Sequence, residues 1–227
     1  MNKRNIFLSM FLLAIALVVA PSCYLLRNQN ILFENTVKIL FRSPELTKEL
    51  FSKGEALYFP IIVDSTPTLE EGKNYPELFI KNMYPGQKIF PFTDYYLNLK
   101  AGGVTKAYIN FHKEVSKTRD LSSAFMCDAI TGATGVDYVL ITYLYSLDYV
   151  ASYEGAKRQK AVLHSALFSR KDCKTLWEAQ SASVYNIKPG EEKINPYLIM
   201  ENAFASLVDS LPFDPVLSSM ELEKKDW

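Results

Sequence analysis

The chain has 227 residues, enough for one medium domain and a targeting segment. With 48% hydrophobic and 22% charged residues it can bury a core, which excludes a wholly disordered chain. Its 25 basic residues balance 25 acidic ones, and without residues 1–22 the count is 23 against 25, so no basic field recommends nucleic acid or anionic lipid as a partner.

Lys3 and Arg4 open a short positive segment, and Ile6 to Ala20 is an apolar run broken only by Ser9. As a helix this run spans about 22 Å, short of the roughly 30 Å hydrocarbon core. It predicts a signal peptide over residues 1–22 rather than a membrane span. Ala20 and Ser22 stand three and one before Cys23, a pattern that resembles the lipobox of bacterial lipoproteins. The resemblance implies cleavage before Cys23 and lipidation of its thiol, hence a membrane anchor through an amino-terminal lipid. Tyr24 is not the aspartate that retains many such lipoproteins in the inner membrane, so the implied destination is the outer membrane. The alternatives are an uncleaved signal anchor, or secretion with Cys23 incidental.

Residues 23–54 read as a tether with helix in it. Ile31, Leu32, Thr36, Ile39 and Leu40 are loosely helical in spacing, and Ser43-Pro44-Glu45 has the form of a helix start ended by Gly54. The domain is predicted over 55–212. Ala56 to Val63 is its first strand, at an edge or bulged near Pro60, which has no N–H to give. A helix follows over Pro76 to Tyr84, then a short strand from Lys88 to Phe92. Thr93-Asp94 caps the next helix. Val104, Ala107, Tyr108, Phe111 and Val115 place another over 103–116, and Asp120 starts a third that ends near Gly132.

Three strands follow, 137–149, 158–169 and 174–186. Tyr138 to Tyr145 is β-branched and aromatic with two apolar faces, as a central strand needs. The turns between the strands are short, so they form an antiparallel meander. Pairing about a turn centred near Glu154 puts Ser169 opposite Val139. Asn195 and Pro196 start a closing helix that Pro212 stops, and 213–227 is a polar tail. The fold class is α/β (α+β), a mixed sheet with helices packed on one face.

The helix before Gly135 to Leu140, the meander and the closing helix resemble periplasmic α/β domains of bacterial envelope proteins, such as the TolB amino-terminal domain and transport-auxiliary lipoproteins. That resemblance implies assembly, transport or binding at the envelope, with an envelope protein or a lipid-transport system as partner. It brings no catalytic residues.

No residue pattern specifies chemistry. His112 reads as a helix-surface residue and His164 as a packed strand residue, and neither has metal-ligand spacing. There is no G-x-S-x-G, and Gly132 to Gly135 follows a helix where phosphate loops precede one. Asp64, Glu70, Glu71, Glu191 and Glu192 are loop acids. Tyr138, Tyr143, Tyr145 and Tyr149 form core and rim packing, or line a surface for sugar or lipid. The expectation is a non-enzymatic binding domain without cofactor or metal; the alternative is a lipid-anchored hydrolase, signalled by a deep pocket holding a histidine beside an acid. Cys127 and Cys173 both belong to one end of the sheet and are a candidate disulfide, against a buried thiol at 127 and an exposed one at 173.

Overall fold

The computed structural model describes residues 33–64, 74–121, 135–151, 157–187 and 194–213, without the side chains of Val150 and Ala151. Its strands are β1 (Phe33–Arg42), β2 (Glu55–Tyr58), β3 (Lys88–Ile89), β4 (Tyr138–Ala151), β5 (Lys157–Ser169) and β6 (Thr175–Ile187). Its helices are α1 (Lys48–Lys53), α2 (Tyr75–Met83), α3 (Phe92–Ala101), α4 (Thr105–Thr118) and α5 (Pro196–Val208). The sheet order is β1-β6-β5-β4-β2-β3. The β1, β6, β5 and β4 neighbours are antiparallel, while β2 joins β4 and β3 in parallel. The mixed sheet and its meander are those the sequence predicts.

The register of the meander differs from the simple expectation. Ala151 pairs with Lys157 and Ser146 with Val162, as a turn near Glu154 requires. A bulge between Leu144 and Ser146 then takes up one residue, so Ser169 faces Tyr138 rather than Val139. The extra residue is Tyr145. A bulge reverses the face of everything beyond it.

Helices cover both faces, which corrects the one-face prediction. Strand alternation is the reason, since Leu140 points to one side and Val139 and Ile141 to the other. The first core gathers Tyr58, Leu140, Leu163, Leu167 and Trp177 under Phe51, Ile80, Ile199, Phe204 and Leu207, from α1, α2 and α5. Ala161, Ala179, Ser181 and Ser183 supply small side chains on this face of β5 and β6, beneath α5. The second core gathers Leu57, Phe59, Val139, Ile141 and Phe168 under Tyr95, Leu99, Tyr108 and Phe111, from α3 and α4. Phe59 is its aromatic hub, with the rings of Tyr95, Phe92 and Tyr108 at 5.0, 5.7 and 5.7 Å.

The predicted helical tether is corrected over its described part. Phe33 to Arg42 is a strand on the outer side of β6, so the domain includes residues assigned to the tether. Thr36, Val37 and Ile39 favour strand, and ten residues of ladder outweigh a weak helical spacing. Helix α1 starts four residues late because Thr47 is the cap, accepting from Leu50 N–H. Ser43 instead accepts from Glu45 N–H in a turn, and its own N–H bonds the Leu176 carbonyl.

Pro60 behaves as predicted. The strand predicted over Ala56 to Val63 is regular only to Tyr58; beyond it Phe59 N–H bonds Leu140 O and Ile62 N–H bonds Thr142 O, so the chain continues beside β4 with one extra residue around the proline. Helix α3 starts at Phe92 without the predicted Thr93-Asp94 cap. Glu77 of α2 supplies the acceptor, 2.9 Å from Phe92 N–H. Asn195 caps α5 as predicted, accepting from Tyr197 N–H at 3.0 Å. The helix predicted from Asp120 to Gly132 lies almost wholly outside the described residues, as does the polar tail beyond Phe213.

Gly54 joins α1 to β2 against the flank of Tyr138. A Cβ there would lie 2.2 Å from Tyr138 Cε2. Tyr138 has little room to yield, with the Phe51 ring centred 5.3 Å away. Gly54→Ala should therefore destabilise the domain by about 1–3 kcal/mol, the usual cost of overpacking. Thermal melts of Gly54→Ala, with and without Tyr138→Ala, check this: the second substitution should return part of the loss.

Candidate functional site

The strands of the meander outrun the helices. β2 pairs with β4 over Tyr138 to Leu140, and one further bridge joins Ile62 to Tyr143. Beyond that point no described strand lies outside β4. Tyr145, Leu147 and Tyr149 are then 44%, 44% and 42% exposed. On the opposite margin β1 is exposed along nearly its whole length. Helix α5 also packs on β1, but no described strand follows the outer side of β1 or of the far half of β4, so among the described residues these two margins are unpaired.

A side-chain chain lies on the face that carries α3 and α4. The bulge places Tyr143 opposite His164, and β6 brings Glu178 alongside. The Tyr143 hydroxyl is 2.9 Å from His164 Nδ1, and His164 Nε2 is 2.6 Å from Glu178 Oε1. The same hydroxyl donates to the Arg119 carbonyl at the end of α4. Arg119 itself takes the left-handed conformation, φ 58°, and holds its guanidinium 5.4 Å from the centre of the Tyr145 ring. Burial, the largest cause, pushes the Tyr143 hydroxyl up to about 12, so it is protonated at neutral pH and suited to donating. Both ring nitrogens of His164 are engaged, one by the phenol and one by the carboxylate. The arrangement positions the ring and ties α4 to three strands; it presents no vacant base to a substrate.

His112 is buried, which corrects the surface assignment. Its residue is 3% exposed, with Nε2 2.9 Å from the Tyr108 hydroxyl. The sequence held the signal: 108, 111, 112 and 115 form one helical stripe, and His112 belongs to it. Burial lowers its pKa to about 4, with Asp64 opposing weakly, so it is neutral at pH 7.

An apolar groove of about 90 Å³ lies between the bulged end of β2 and the start of α5, lined by Pro60, Ile61, Val63, Tyr75, Met200 and Glu201 among others. Desolvation raises the pKa of Glu201. Neither histidine lines this groove. The described residues contain no group of three or more histidine, cysteine or acidic side chains that could hold a metal.

The remaining sequence candidates divide as follows. Cys23 and Cys127 lie outside the described residues, as do Glu70, Glu71, Glu191 and Glu192. Cys173 is buried, not exposed, and sits in the β5–β6 turn with φ 54°. Among the tyrosines, Tyr143 is core and Tyr138 half-buried, while Tyr145 and Tyr149 form the rim. The sequence did not single out Glu178 or Arg119, which nothing local distinguishes.

No protein-family model and no curated protein matches the chain. Among solved structures, the PelC dodecamer from Paraburkholderia phytofirmans is similar at 13% identity and TM-score 0.40, covering 80% of this chain and 99% of that one. Lipoprotein GNA1162 from Neisseria meningitidis is similar at 12% identity and TM-score 0.38, covering 69% and 99%. The LpoB C-terminal domain from Salmonella enterica is similar at 12% identity and TM-score 0.34, covering 61% and 95%. Likeness at this level carries no argument about what the chain does.

Buried neutral His112 makes stability depend on pH. The unfolded chain takes up the proton near pH 6.5, whereas the folded one resists it until about pH 4. Stability is therefore unaffected above the first value and falls as pH drops toward the second, by up to about 3 kcal/mol. Melting temperature between pH 7 and 4 should fall more steeply for the natural chain than for His112→Gln. Parallel slopes would show that His112 does not carry the effect.

Proposed function

We propose that the chain is a lipid-anchored protein of the bacterial cell envelope, delivered to the outer membrane, whose domain binds an envelope protein or lipid-transport partner and performs no chemistry itself. The observation that carries the binding role is the margin of the sheet along β4, where Tyr145 on one face and Leu147 and Tyr149 on the other are half-exposed and no described strand follows. Large, rigid aromatic side chains flanked by an arginine are the usual anchors of protein recognition. Against chemistry stands the engagement of both His164 nitrogens and the absence of either histidine from the groove. The anchor rests on the sequence around Cys23. A Cys127–Cys173 disulfide is kept as part of the same proposal, since the compartment permits it.

Cys23→Ala should leave an unprocessed precursor, or a soluble form that takes up no labelled palmitate. Equal acylation of the variant and the natural chain would remove the anchor from the proposal.

The binding role and the chemical one separate by substitution. In cells whose growth or envelope integrity depends on this chain, His164→Gln with Glu178→Gln should retain the phenotype, provided the melt confirms folding. Tyr145→Glu with Leu147→Glu, both on the exposed margin, should lose it. The reverse pattern in folded variants would support the hydrolase reading instead.

A further inference from the structure

β1 is an edge strand of ten residues with no described strand on its outer side. Soluble proteins blunt such edges with prolines, charged side chains, bulges or covering loops, and β1 carries Glu34, Lys38 and a bulge past Ile39. Here Val37, Ile39, Leu40 and Phe41 are 39–47% exposed. Its straight part ends at Ile39, because the ladder to β6 shifts register between Ile39 and Phe41. A partner strand therefore has Phe33 to Ile39 to pair with before the edge bends away.

We propose that this edge is occupied by the same strand of a second copy, antiparallel, about a two-fold axis at Thr36. The sequence of the edge is self-complementary in that register. Thr36 faces Thr36 of the other copy. Glu34 faces Lys38 twice, once on each side of the axis, and Phe33 faces Ile39 twice. Hydroxyl pairs, opposite charges and aromatic against β-branched side chains are the cross-strand pairs that stabilise antiparallel ladders. The Asn186 amide already bonds Glu34 Oε1 at 2.7 Å, which holds that carboxylate on the face where Lys38 would arrive. Alternation puts Glu34, Thr36 and Lys38 on one face and Phe33, Val37 and Ile39 on the other. Charges thus meet charges and Phe33 meets Ile39, with Asn35 facing Val37 on each side of the axis. Moving the axis to Lys38 would oppose two lysines and run the ladder across both bends. A symmetric contact of this kind closes as a dimer and joins two six-stranded sheets into one.

The inference rests on reading the open margins as working surfaces, and it names the occupant of one of them. The test is oxidative cross-linking of the full chain in isolated membranes, with the unsubstituted chain as background for its native cysteines. Thr36→Cys should give a disulfide dimer, because opposed residues in such a ladder are about 4.5–5.5 Å apart at Cα. Leu40→Cys, beyond the paired stretch, should not. Lys38→Glu added to Thr36→Cys should cut the dimer about tenfold by setting Glu34 against a glutamate, and Glu34→Lys added to that should restore it. No dimer from Thr36→Cys, equal dimer from Leu40→Cys, or indifference to the charge reversal would each overturn the proposal. If pairing fails while Tyr145→Glu with Leu147→Glu still abolishes the phenotype, the self-pairing is wrong and the binding role stands.

Discussion

The one-residue bulge at Tyr145 is the constraint on which the rest of this domain depends. β4 is the strand that joins the antiparallel meander to the parallel β2–β3 pair. Its first half must offer apolar side chains to both faces, because helices lie on each. Its second half has no outer neighbour among the described strands and carries half-exposed side chains. An uninterrupted strand would carry a single register through both halves. The bulge lets each half keep its own, so Leu140, Leu144 and Leu147 share a face although the spacing between them is uneven.

The same bulge makes the Tyr143–His164–Glu178 chain. In the register set by the far turn, His164 would face Leu144, a residue of the opposite side. One extra residue moves Tyr143 into that place. The phenol then reaches the end of α4 and the imidazole reaches β6, so a defect in one ladder is converted into a tie among three strands and a helix. Bulges commonly redirect a side chain at a functional site. Here the redirected residues lie next to the half-exposed Tyr145 and hold Arg119 over its ring.

Among the described residues both margins of the sheet are unpaired, for different reasons. β3 has only two residues, so β2 and β4 run past it. β1 is long but nothing described follows it. Coverage by helices is limited by the chain between strands: α3 and α4 are spent on the parallel half, and α5 is laid on the small residues of β5 and β6. Among the described residues the protein therefore has a well-packed centre and two ladders that no further strand pairs with.

What the sequence by itself determined is the part of the structure set by near neighbours. The alternation of Tyr138 to Tyr145, the short turns of the meander, the Asn195–Pro196 start of α5 and the disruption at Pro60 all depend on residues within one turn or one strand. They were legible for that reason. Helix α4 was also legible, and with it the buried stripe to which His112 belongs, though a polar name on that stripe hid its burial. What only the tertiary structure decided is who pairs with whom across the fold. Phe33 to Arg42 became a strand because β6 offered a ladder. Helices took both faces because the strand between them was apolar on both. His164 met Glu178 and Tyr143, fourteen and twenty-one residues away, because a register fixed by one bulge set them side by side. Local pattern cannot place a bulge, since its cost and its benefit fall on different strands.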